Sequence, residues 1–124
     1  MVVDYELLDG VLVFRIVGRP DVRAFLGTLQ AIAADDAMPD GLAVLIDVHG
    51  ADGGPSEEDI HAVSEFFARH SQAFGPKGMV VASKLQYGLA RMGKALSQNR
   101  GMDMEIFWDE GKALDTLRRR IAAE

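Results

Sequence analysis

Leu42 to Ile46 is an unbroken run of five apolar residues inside GLAVLIDVHG (Gly41–Gly50), and Asp47 closes it. A short apolar run with a turn signal at each end predicts a strand buried on both faces. Such a strand lies centrally in a sheet covered by helices. The loop at its carboxyl end, Ala51–Pro55, is where open α/β sheets usually carry a site.

The pattern on either side is equally regular. Val2–Leu8 and Val11–Val17 are β-rich runs joined by Asp9-Gly10, a strong hairpin signal. In the second run Leu12, Phe14 and Ile16 share one face, and Val11, Val13, Arg15 and Val17 share the other. Gly18 ends it, and Pro20-Asp21 opens a helix in which Val22, Phe25, Leu26, Leu29 and Ile32 or Ala33 recur at helical spacing. Ala34–Gly41 reads as a loop. After the central strand, a second helix starts near Ser56, with Ile60, Val63 and Phe67 in one stripe and Ala62 and Phe66 beside it. It ends before Gly75-Pro76. Gly78–Ser83 reads as a strand. A third helix runs from about Gln86 to Asn99, with Leu85, Leu89, Met92 and Leu96 in line and Gly101 as its C′ residue. Met102–Trp108 is the last strand, with Met102, Met104 and Ile106 on one face and Asp103, Glu105 and Phe107 on the other. Asp109 caps a last helix that turns Ala113, Leu114, Leu117 and Ile121 inward and carries Arg118, Arg119 and Arg120 in its final turn. The order ββαβαβαβα predicts a single α/β domain: a five-stranded mixed sheet covered by helices, mostly parallel, with one antiparallel hairpin.

At 124 residues, 48% of them apolar, the chain is long enough to build a core without a metal or disulfide. It has no cysteine, which excludes thiolate chemistry and fits the cytoplasm. The amino terminus lacks the basic segment and long apolar core of a secretion signal. No apolar run approaches the ~20 residues that span a bilayer. A net charge of −6 argues against nucleic acid. The charge is uneven: residues 76–102 hold five basic side chains (Lys77, Lys84, Arg91, Lys94, Arg100) and no acidic one. A basic island therefore sits in an acidic protein.

The stretches YGLARMGKALSQNRG (Tyr87–Gly101) and MEIFWDEGKALDTL (Met104–Leu117) resemble the end of the SpoIIAA-like family. The opening hairpin, the step from Gly18 into the first helix and the strand ending at Asp47 are similar as well, so the resemblance covers nearly the whole chain. Trp108 departs from it, standing where a basic residue is expected. The resemblance implies a STAS-like fold related to anti-sigma-factor antagonists, and similar in architecture to lipid-binding CRAL-TRIO domains. Antagonists of this type carry a phosphorylatable serine in an Asp-Ser-Ser-Gly-Leu motif after the central strand. Here the segment is Asp52-Gly53-Gly54-Pro55-Ser56, and only Ser56 is roughly in place.

Ser56 reads first as a helix cap, its hydroxyl accepting the amide of Glu58 or Asp59. As a phosphosite it would face repulsion from Glu57, Glu58 and Asp59. The loop His49–Pro55 lacks the lysine and spacing of a phosphate cradle. His49, His61 and His70 are too scattered for a metal set. His49 with Asp47 or Asp52 makes an acid–base pair with no evident nucleophile beside it, so no catalytic residue, cofactor or metal is expected. The better candidate is the start of the third helix, where Ser83, Lys84, Tyr87 and Arg91 offer an acidic partner or an anionic headgroup a place to dock. His49, Asp52 and Ser56 lie on the adjacent loop. Met79, Met92, Met102 and Met104 are core fillers by default, or the lining of a lipid pocket between the third helix and the sheet. Phe66 and Phe67 are adjacent, so one of them is expected on a neighbouring helix or at a homodimer contact. The reading is a non-enzymatic regulatory or interaction module, the alternative being a carrier of a small apolar or lipid ligand.

Overall fold

Asp9 and Gly10 both adopt positive φ, at 49° and 83°. That is the type I′ turn expected of a two-residue Asp-Gly link. It joins β1 (Val2–Leu8) to β2 (Val11–Gly18) as an antiparallel hairpin. The computed structural model describes residues 2–53, 56–98 and 104–123. The elements that follow are α1 (Val22–Ala33), β3 (Leu42–Ala51), α2 (Glu57–Arg69), β4 (Phe74–Val80), α3 (Lys84–Gln98), β5 (Met104–Phe107) and α4 (Glu110–Ala123). The order is the expected ββαβαβαβα.

The five strands lie side by side in chain order, and every pairing after the hairpin is parallel. Right-handed crossovers that always advance in the same direction leave their helices on the same face. On that face Leu12, Phe14, Ile16, Val44 and Ile46 pack against Phe25, Leu29 and Ile32 of α1 and Phe66 and Phe67 of α2. The opposite face is covered by α4, whose Ala113 and Leu117 are buried on Val11, Val13, Ala43, Leu45 and Val80. The two-residue alternation in β2 therefore feeds two separate cores, as its sequence pattern indicates. β3 is central and buried on both faces. A sheet wound in one direction has no point where strand order reverses, so no such crevice opens beyond the described strands.

Several expectations are corrected. Asp47 does not end the central strand, which continues to Ala51 and buries Asp47 within it. α2 ends before Gly75-Pro76 as expected, at Arg69, but Gly75-Pro76 lies inside β4, whose span begins four residues earlier than the sequence suggests and ends at Val80. The β3–β4 register slips by one residue between Leu42–Phe74 and Val44–Lys77. This bulge accommodates a proline with no amide to donate. Gly75 is needed there, because a Cβ on it would stand 2.7 Å from the Gly41 carbonyl oxygen. Lys77 leaves the basic island. It is 6% exposed, donates to the Gly75 carbonyl at 2.7 Å and lies 5.1 Å from the centre of the Phe67 ring.

Phe66 and Phe67 are both buried, in the same cluster. Phe67 meets Phe74 edge-on at 5.7 Å, and Phe66 tilts over His70 at 4.3 Å, so neither is available for a contact between copies. α2 packs against the sheet core and lies between α1 and α3, which buries a face wider than one stripe. α3 begins at Lys84, earlier than expected, and Leu85 is exposed rather than in line with the core. Of the three arginines in α4 only Arg120 is in the last turn. Arg118 pairs with Asp9 at 3.2 Å and Arg120 with Glu105 at 2.8 Å. Gly54, Pro55, Asn99, Arg100, Gly101, Met102 and Asp103 lie outside the described residues, as does the Leu96 side chain.

Candidate functional site

Ser83 caps α3: its hydroxyl accepts the Gln86 amide at 3.1 Å, and its carbonyl accepts the Tyr87 amide at 2.9 Å. Gln86 then ties this helix start to the end of β3. Its Oε1 accepts the Ala82 amide at 2.8 Å, and its Nε2 donates to the Val48 carbonyl at 2.7 Å. A buried amide side chain satisfied at both ends fixes the two segments relative to one another.

With that turn fixed, Tyr87 stacks on Trp108, the rings 5.5 Å apart and 27° from parallel. Trp108 follows β5 with the parity of Met104 and Ile106, which places it on the α3 side. The Arg91 guanidinium stands 5.9 Å from the Tyr87 ring centre, within reach of a cation–π contact. Trp108 is 53% exposed, and Lys84 and Arg91 are exposed on the Tyr87 flank of α3, whereas Leu85, 61% exposed, is two residues from Tyr87 and lies on the other flank. The result is an open platform of two stacked aromatics edged by two cations. Lys94 is half-buried.

His49 belongs elsewhere. Its Nδ1 lies 2.9 Å from Asp47 Oδ1, which also accepts the His49 amide at 2.9 Å. Odd-numbered positions of β3 face α4, so this pair joins an ionic chain on that side. Arg15 reaches Glu6 at 2.7 Å and Glu110 at 2.6 Å, and the Glu110 carboxyl in turn hydrogen-bonds Asp47. Burial pushes the Asp47 pKa up, but the bonds from Glu110 and from the His49 amide and ring more than offset it and leave it low. Glu110 is raised, because sharing a proton with Asp47 outweighs the ion pair with Arg15. A raised carboxyl stabilises the fold fully below its unfolded pKa and loses that contribution as pH rises through the folded value; Asp47, being lowered, has the opposite sign. Glu110→Gln keeps a donor for Asp47 and removes the titration. Its melting temperature is therefore expected to gain on the wild type as pH rises from about 4.3, the ordinary glutamate value, through the raised value. Paired thermal melts across that range check it, and parallel curves would refute the shared proton.

Asp52 is exposed, its amide donating to the Gly18 carbonyl at 2.8 Å. Ser56 is the N-cap of α2 in a full capping box: its hydroxyl accepts the Asp59 amide at 3.1 Å, and Asp59 accepts the Ser56 amide at 3.2 Å. Ser56→Ala is expected to cost about 1 kcal/mol of stability, read as a lower urea midpoint with unchanged slope. A loss near zero would contradict the cap.

Beneath α2 and α3 lies an apolar cavity of about 110 Å³, walled by Ile16, Phe25, Ile46, Val63, Met79 and Met104, with Gln86 among its lining. Met79 and Met104 thus face it, as a pocket between α3 and the sheet requires.

Two solved structures share this architecture. One is an anti-sigma factor antagonist from Mycobacterium paratuberculosis, with a TM-score of 0.70 at 18% identity over 94% of this chain and 93% of that one. The other is an uncharacterized protein of the DUF3478 family with a SpoIIAA-like fold, from Shewanella loihica PV-4, with a TM-score of 0.64 at 21% identity over 94% and 92%. The fold is SpoIIAA-like. A scan against protein-family models finds no match, and neither does a search of curated proteins. On this SpoIIAA-like frame the sequence-derived residues fall into separate places. Ser83, Lys84, Tyr87 and Arg91 gather at the start of α3, Asp52 and Ser56 flank the β3–α2 connection, and His49 turns to the α4 face. Trp108 completes the α3 platform and is not among the residues the sequence singles out for docking. Its signal is available: Trp108 directly follows β5 with the parity of its α3-facing residues.

Proposed function

We propose that the chain is a non-enzymatic, STAS-type regulatory module of the cytoplasm that docks an acidic segment of a protein partner on the Lys84–Tyr87–Arg91–Trp108 platform. The observation that carries this reading is the stack of exposed Trp108 on half-buried Tyr87, with Arg91 over the Tyr87 ring. Tryptophan, tyrosine and arginine are the residue types that dominate interface energies. Side chains already ordered by stacking on one another lose less freedom on docking. Lys84 and Arg91 supply attraction for carboxylates on a chain that is otherwise acidic. The anti-sigma factor antagonist of similar fold supports a regulatory class with a protein partner. None of the described helices is long and apolar enough to cross a membrane. Ser83 and Gln86 act here by holding the platform's first turn in place. Ser56 keeps its hydroxyl for the cap, and a phosphoryl group there would meet Glu57, Glu58 and Asp59.

The cavity favours a second reading, a carrier of a small apolar molecule. At about 110 Å³ it is smaller than the ~150 Å³ cavity that accepts benzene. An acyl chain would enter only if α3 moved away from the sheet. Native mass spectrometry on protein gently purified from its host separates the two readings. A bound small molecule supports the carrier. A bare chain, together with a host protein retained by the wild type and lost on Trp108→Ala, supports the docking module. A retained set that Trp108→Ala leaves unchanged refutes it.

A further inference from the structure

At the far side of the sheet from the platform, β1 pairs, among the described residues, with β2 alone and ends the strand order. A two-residue turn makes Leu8 and Val11 a hydrogen-bonded pair, and the antiparallel ladder then alternates. Glu6 bonds inward to Val13, while Leu7 and Tyr5, opposite Leu12 and Phe14, turn their amides and carbonyls away from β2. The same two residues carry exposed apolar side chains, Tyr5 43% and Leu7 45% exposed, on the α1 side of the sheet. Between and beside them Asp4 and Glu6 are exposed on the other side. Residues 4–8 carry no lysine, proline or bulge, and the charges on this edge are the carboxylates of Asp4 and Glu6, which bar like-charged strands and leave it open to basic ones.

A second copy of the chain is a poor occupant. Antiparallel pairing centred on Tyr5 sets Asp4 of each copy against Glu6 of the other. Sliding by two residues sets Asp4 against Asp4 or Glu6 against Glu6. Like charges directly opposite are destabilising in each of these registers, the ones that overlap the exposed edge most. A strand with basic residues at alternate positions reverses that sign.

We infer that the free edge of β1 takes an extended strand from a partner protein whose residues alternate basic and apolar. Its backbone bonds to the outward amides and carbonyls of Tyr5 and Leu7. Its basic side chains lie opposite Asp4 and Glu6, and its apolar ones lie beside Tyr5 and Leu7. Glu6 gives one carboxylate oxygen to Arg15 and keeps the other for this contact. The site is independent of the platform at α3 and selects the opposite charge.

The test uses the full chain, labelled with ¹⁵N, and a capped nine-residue peptide alternating lysine with valine. The control peptide carries glutamate in place of lysine. The lysine peptide is expected to slow amide exchange at Tyr5 and Leu7 while leaving Glu6 and Leu8 unchanged, and to bind roughly tenfold more tightly than the glutamate peptide. Asp4→Lys narrows or reverses that preference. Leu7→Pro, which removes an outward amide at a position where an edge strand tolerates proline, abolishes binding. Equal binding of the two peptides, protection without the alternation, or concentration-dependent protection of Tyr5 and Leu7 in the chain alone would each overturn the inference. Asp4→Lys leaves the backbone intact, so the charge arm stands whatever Leu7→Pro does to folding.

Discussion

Trp108→Ala weakens partner binding about thirtyfold, equivalent to about 2 kcal/mol, the level that marks an interface hot spot. The expectation rests on where the indole sits. It is half exposed, stacks on Tyr87 and lies outside both buried clusters. Truncation therefore removes contact area for a partner and also frees Tyr87 to rotate, so that the remaining platform has to be ordered again on docking. The same change leaves stability within about 0.5 kcal/mol, as for a surface substitution away from a cap or buried bond. Arg91→Glu behaves differently. It slows association and reduces the salt dependence, because a rim charge acts mainly by steering. Calorimetric titration of the partner that the wild type retains measures both, with a urea melt as control. Unchanged affinity for the Trp108 variant would move the docking surface away from α3.

The other large effect is on the fold. Phe67→Ala is expected to cost about 3–5 kcal/mol, as for a fully buried aromatic. Phe67 is 1% exposed and lies against Phe66 and Phe74. It also supplies the ring over which the buried Lys77 ammonium rests. Removing the ring leaves a cavity and takes away the cation–π partner of a desolvated charge, a contact worth about 2 kcal/mol in such a setting. For a domain whose whole stability is about 5–15 kcal/mol, this brings the chain close to unfolding at 37 °C. Phe67→Leu keeps most of the volume and loses the ring, so the difference between the two variants isolates the cavity, and the cost of Phe67→Leu itself carries the lost contact with Lys77. Urea midpoints at constant slope give both values. A cost under about 1.5 kcal/mol for Phe67→Ala would contradict its place in the core.

Much of this molecule is legible in its sequence because the signals are local. Asp9-Gly10 specifies its own turn, and alternation in Val11–Ile16 specifies two faces. Ser56 and Asp59 specify a cap between residues three apart. What the sequence hides depends on partners distant along the chain. Gly75-Pro76 reads as a break because those residues usually are one; only the slip against Leu42–Val44 makes room for them in a strand. Lys77 reads as surface charge, since nothing nearby in sequence announces a carbonyl and a phenyl ring waiting for it. Leu85 has the spacing of a core residue, but the first turn of α3 lies at the end of the sheet and finds nothing to cover it. Asp47 reads as a stop because the carboxyl it hydrogen-bonds besides His49, that of Glu110, arrives from α4, far along the chain. The candidate site was half legible for the same reason. Its cations lie on one helix, seven residues apart, whereas its tryptophan arrives from beyond the next strand.

The covering of one sheet face by α4 alone among the described elements has a consequence for biosynthesis. α1, α2 and α3 each dock as soon as the strand after them is made, because strand order follows chain order. Val11, Val13, Ala43, Leu45 and Val80 must wait for residues 110–123. Throughout translation of the first hundred or so residues, the growing sheet therefore presents a bare aliphatic surface outside the ribosome. It is the stage at which a trigger-type chaperone would hold the nascent chain, and at which a stalled or truncated product would aggregate.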